Sequence, residues 1–199
     1  MKTVSVDYYT IIELKERFPM TYKKVIEKNR DYNTYFEWYE YTIEDLKTLL
    51  GFCGFENPDI QFSGFGSQGD GASFSGTCDT SKINLHGLCE YAPKEDKFRK
   101  LATDIKNLTK DFPDCKVILT RYHCGGYVHE NTIGYDAEYT GEVSGYENMI
   151  NGVKDSCKSI MREIYARLEN EYTEITSDSA IEESLDASEC YFDENGRPE

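Results

Sequence analysis

Ile60-Gln-Phe-Ser-Gly-Phe-Gly-Ser-Gln-Gly-Asp-Gly-Ala-Ser-Phe-Ser-Gly-Thr77 holds five glycines within and between two runs of strand-forming residues. Ile60–Phe65 and Ala72–Cys78 read as two strands around a glycine-rich turn. Two such runs joined by turn residues predict an antiparallel hairpin. Further along, Cys115–His123 is the clearest strand, with two more near 127–131 and 132–140. Gly125-Gly126 reads as the turn between the first two of these. Lys82–Cys89 and the alternating Thr3–Tyr9 are further strand candidates, and Tyr191-Phe192 reads as an edge strand or a docking pair.

Helical patterns surround these strands. Thr10-Ile-Ile-Glu13 has the capping-box form, in which the threonine and glutamate side chains each serve the other's backbone N–H. Pro19 should end or kink that helix, and a basic helix follows over about 20–30. Residues 34–50 read as an aromatic helix, with Tyr39, Ile43, Leu46 and Leu50 on one face and Gly51 as its stop. Residues 94–110 and 145–172 carry apolar stripes at three- and four-residue steps. A short acidic helix is expected near 178–187, with Ser179-Ala-Ile-Glu182 as its capping box. These readings predict one α+β domain over 1–199. It holds an antiparallel sheet of about five or six strands with helices packed on one face, and an acidic C-terminal helical tail from about 173.

Composition narrows the function classes. The 199 residues carry 37 acids and 22 Lys plus Arg, a net charge of -15. That field repels a phosphate backbone, so no nucleic-acid partner is expected. It suits a basic protein partner, or simply keeps the chain soluble. Twelve acids and three bases fall between Arg162 and Glu199. No apolar run approaches the ~18–20 residues of a membrane-spanning helix, so no membrane role is expected. Seven cysteines with no Cys-x-x-Cys, and an N-terminus without a signal-peptide pattern, read as reduced thiols in a cytoplasm. The three histidines lack regular ligand spacing alongside those cysteines, so neither metal nor cofactor is expected.

Two segments carry candidate chemistry. The glycine turn could shape a tight hairpin with Asp70-Gly71 at its tip, or form an anion-binding nest of backbone N–H groups. In the second reading Ser63, Ser67, Gln68, Gly69, Asp70 and Gly71 bind the ligand. No P-loop or dinucleotide fingerprint is present in it. Arg121-Tyr-His-Cys-Gly-Gly-Tyr-Val-His129 supplies a permanent cation at Arg121 and two imidazoles, His123 and His129. Trp38, Tyr39 and Phe65 are the candidates for an aromatic pocket wall. No group stands out as a catalytic nucleophile.

The residues Phe62–Gly76, FSGFGSQGDGASFSG, together with RYHCGGYVHENTIGYDAEY and the tail LENEYTEITSDSAIEESLDASECYFDENG, resemble a group of small phage and prophage proteins. That group has an FSGFxSQGDGAxFxG motif, and its members are often labelled antitoxin of a toxin–antitoxin stability system. Its usual motif has tryptophan where this chain has Gly66, which removes an aromatic wall from the turn. The resemblance implies a cytoplasmic phage accessory protein, in the host cytoplasm if phage-encoded. Such a protein would act in counter-defence by sequestering a small anionic, nucleotide-type immune signal or by occupying a host defence protein. Three functions follow as expectations: a non-enzymatic binder of that signal, an acidic antitoxin-like inhibitor of a basic partner, and a histidine- or metal-dependent hydrolase. A homo-oligomer is left open.

Overall fold

The computed structural model describes residues 6–122 and 126–199. The fold is α+β. Among the described residues, seven α-helices accompany six strands, which divide between a four-stranded and a two-stranded antiparallel sheet. The chain forms two compact units, one from 1–39 with 170–199 and the other from 40–169.

The first unit is built on local capping and one long-range pairing. Thr10 caps α1 (Ile11–Arg17) with the full reciprocal box. Pro19 opens α2 (Pro19–Lys28), as a residue without an N–H should. β1 is only Tyr9–Thr10, paired with β6 (Tyr191–Phe192). The expected strand over 3–9 therefore shrinks: residues 3–5 lie outside the described ones, and Val6–Tyr8 take no strand partner. Ile11, Leu14, Val25 and Ile26 pack with Ile181 and Leu185 of α7 (Asp178–Ala187) and with Phe192. The cap of α7 is Ser177, which accepts from the Ala180 N–H, and not Ser179.

The aromatic run at 34–50 is not one helix. A 3-10 turn ends at Thr34, residues 35–39 are irregular, and α3 begins at Glu40 and runs to Phe52. Tyr35 and Phe36 are thereby left exposed. Gly51 lies inside α3; the left-handed residue that follows the helix is Gly54, with φ +91°.

The second unit holds the larger sheet, in the order β2 (Phe55–Ser63), β3 (Gly71–Asp79), β4 (Lys116–Arg121), β5 (Ile133–Glu138). β2 begins five residues earlier than its sequence pattern suggests. A register irregularity between Glu56 and Asp59, with Asn57 at φ +43°, accommodates Pro58 inside it. Lys82–Cys89 is a 3-10 turn and α4 (Leu85–Tyr91), because the Asn84 side chain caps the Gly87 N–H and starts a helix. Residues 127–131 form no strand; a long connection joins β4 to β5. The buried residues of α3, α5 (Asp96–Leu108) and α6 (Tyr146–Ile175) are the core partners expected for Phe55, Phe74, Val117, Leu119 and Ile133.

All four strands of this sheet alternate in direction, so the β2–β3 turn and the β4–β5 connection emerge at the same end. That topology creates the site.

Candidate binding site

Three contacts lock the two loops together. Ser63 Oγ donates to Val128 O at 3.2 Å. A Cβ on Gly69 would stand 2.5 Å from the Tyr127 ring, and one on Gly71 would stand 2.5 Å from His129 Cβ. Glycine is thus required at 69 and 71 so that the second loop can close over the first, and at 69 also by its φ of +95°.

α6 pins both loops from below. The Phe65 ring lies 5.7 Å from Phe62 and 5.5 Å from Tyr165, and the Tyr165 hydroxyl meets the Gly66 backbone. Burial pushes the Tyr165 hydroxyl above its ordinary pKa, with Glu169 adding to the shift. Lys158 donates to Asn131 Oδ1 at 2.6 Å, and Arg162 Nε donates to Glu130 at 3.0 Å. Burial alone would raise Glu130; its own backbone N–H and Arg162 outweigh that and hold it below the ordinary glutamate range.

The anion-binding chemistry expected of the turn is met from inside the protein. The Asp70 carboxylate accepts the Ser67 N–H at 2.6 Å and sits where a Cβ on Gly64 would stand, 2.8 Å away. An external anion would have to compete with this internal one. Gln68 stands exposed at the tip. Arg121 is similarly engaged. Its Nη1 pairs with the Asp59 carboxylate, its Nη2 donates to Asp59 O (2.8 Å) and Ser73 O (3.2 Å), and its Nε donates to Ser73 Oγ (3.2 Å). One guanidinium therefore clamps β2, β3 and β4 with a side chain 15% exposed. His129 Nδ1 accepts the Asn131 N–H at 3.1 Å, which shapes the connection. His123 lies outside the described residues.

The structure thus brings Ser63, Gly69 and Gly71 together with His129. Arg121 turns to the strands instead. The aromatic candidates divide: Phe65 belongs to the second unit, whereas Trp38 and Tyr39 belong to the first, where Trp38 packs on Tyr39 and Tyr172. Sequence reasoning missed Tyr122 and Tyr127, which are 58% and 57% exposed on the second loop. Their signal was present, since two tyrosines flank the glycine pair at 125–126.

Among the described residues, no group of three or more His, Cys, Asp or Glu side chains could hold a metal ion. No described helix is long and apolar enough to cross a membrane. Beside the exposed Tyr122 and Tyr127, the loops carry the Asp70 carboxylate and the Glu130–Arg162 ion pair.

The chain belongs to the family defined as a domain of unknown function, DUF8835, whose model matches residues 38–178. No curated protein and no solved structure matches it.

Proposed function

We propose that the protein is a non-enzymatic binding protein that recognises another protein through the paired loops at the end of the four-stranded sheet. One observation carries this reading: the loops are fastened to each other and to α6, and they display Tyr122 and Tyr127, while the cations beside them are already partnered. Tyrosine, serine, glycine and asparagine on a rigid frame are the chemistry of protein-recognition loops. Tyrosine gives large contact area at low entropic cost, and the small residues adapt their hydrogen bonds. The acidic balance of the chain favours a basic partner and speeds its approach. The resemblance to small phage proteins makes a host defence protein the first class of partner to try, with counter-defence as the setting.

The competing reading is a nucleotide-type signal at the same loops; the Asp70 carboxylate already holds the Ser67 N–H and Asp59 already holds Arg121, which weighs against it. The test is quantitative affinity capture from phage-infected cells, run beside calorimetry with cyclic nucleotides and ADP-ribose. A basic protein enriched by the parent chain and lost with Tyr122→Ala/Tyr127→Ala supports the proposal. Saturable nucleotide binding at these loops, or partner capture that the tyrosine variant leaves unchanged, overturns it.

A further inference from the structure

We infer that a cavity in the first unit binds an alkylguanidinium group, the end group of an arginine. The cavity encloses about 380 Å³, within the ~300–1,000 Å³ typical of small-ligand sites. The buried Leu185 and Phe192 close its floor, and Tyr32, Tyr191, Pro198, Glu189 and Glu199 are among its other lining residues.

The walls are fixed. The Glu199 N–H donates to Tyr191 O at 3.1 Å, and Phe192 pairs with Pro198. Thr21 Oγ1 donates to Glu194 O at 2.9 Å. Gly196, at φ +80°, approaches α2 so closely that a Cβ there would stand 2.8 Å from Val25 Cγ2. These contacts fasten the 191–198 turn to α2, whose last residue Lys28 also lines the cavity.

Charge selects the ligand. Two glutamates and a single lysine, Lys28, line the cavity. An anion would meet the wrong sign. A cation on an apolar stem fits each component: the stem lies along Pro198 and the tyrosine rings, and the head meets the glutamates and tyrosine faces. Guanidinium suits this better than ammonium, because its planar fork pairs with carboxylates in two bonds and stacks on rings. The inference goes beyond the loop reading and uses none of its residues, so either can fail alone.

The test is a ¹H–¹⁵N NMR titration of the full chain with three probes: agmatine, acetyl-Gly-Arg-Gly-amide, and the same peptide with citrulline for arginine. Saturable shifts at the amides of Asn29, Cys190 and Gly196 are expected with both cations. Citrulline, and the Glu189→Gln/Glu199→Gln variant with the cations, should each bind about tenfold more weakly, as loss of a charge-assisted hydrogen bond implies. Tighter peptide than agmatine assigns the cation to a partner protein; the reverse assigns it to a free small molecule. Absence of saturable shifts at these amides, or equal binding of the citrulline peptide, overturns the inference. The variant's unperturbed spectrum elsewhere reports that it is folded.

Discussion

Gly71 of β3 lies against the backbone of His129: a Cβ at 71 would stand 2.5 Å from His129 Cβ, 3.0 Å from its Cα and 3.1 Å from Val128 O. The obstacle is main chain, not the far end of a movable side chain, so Gly71→Ala must push the 128–129 segment away. Overpacking of this kind costs about 1–3 kcal/mol. The variant should lose that much in denaturant unfolding, and Tyr127 should lose its seat over Gly69. Partner affinity should then fall further than stability does. A Gly71→Ala protein as stable as the parent would show that the loops do not meet this closely.

Arg121 is a strand clamp before it is anything else. Its four donated bonds to Asp59 and Ser73 cross three strands, and Ser73 is fully buried. Removing the guanidinium leaves Ser73 polar atoms unserved, at about 1.5–3 kcal/mol for hydrogen bonds to a charged group. Asp59→Asn should cost less, because its side chain is 56% exposed and the charge is screened by water. Urea midpoints of Arg121→Ala, Asp59→Asn and the double variant would measure this coupling. An Arg121→Ala chain with parental stability but abolished ligand binding would return Arg121 to the role of anion receptor.

Cysteine reactivity should follow burial. Cys53, Cys78, Cys115 and Cys157 are free and buried, whereas Cys89 is free and exposed. Burial pushes the Cys53 thiol up to about 12 and raises Cys78, Cys115 and Cys157 as well. Since the thiolate is the reactive form, native protein treated with iodoacetamide near neutral pH should label Cys89 and leave those four untouched until denaturant is added. Peptide mapping before and after unfolding checks this. Early labelling of Cys157 would mean that the core of the second unit opens readily.

The sequence shows most clearly what is local. The Thr10–Glu13 box is legible because both partners sit within four residues, and the same holds for Pro19 at the start of α2. Ser177 and Ser179 compete for one helix start, and only the bond to the Ala180 N–H tells them apart. At 82–89 apolar residues mimic a strand, and one asparagine cap reverses the outcome. The glycine turn was legible as a loop whose backbone meets something closely. What it meets was not, because Tyr127 and His129 arrive from a connection about sixty residues away. Arg121 was visible as a cation, but its partners come from two other strands, and periodicity does not reveal that Asp59 would neutralise it. The pairing of Tyr9–Thr10 with Tyr191–Phe192 is more distant still.

Acid should weaken both units, and the sign follows from two glutamates. Burial would raise Glu163, but its bonds to Lys97 and Arg167 outweigh that and hold it below the ordinary glutamate range. Glu182 in the other unit behaves alike: burial raises it, and Lys15 and Tyr22 more than offset the rise. A carboxyl whose folded pKa lies below its unfolded one binds fewer protons when folded, so stability increases with pH. The contribution is complete above the unfolded value, roughly 4.3 for glutamate. It is lost as pH falls through the folded values. Melting temperature should therefore hold steady with respect to these groups from neutral pH down to about 5 and drop below about 4. Glu163→Gln should lower the neutral melting temperature and flatten the acid limb, because the variant has no proton to take up at that position. Circular-dichroism melts of parent and variant across this range decide it: a parent that becomes more stable on acidification, or a variant with an unchanged acid limb, would mean that these ion pairs do not set the pH response.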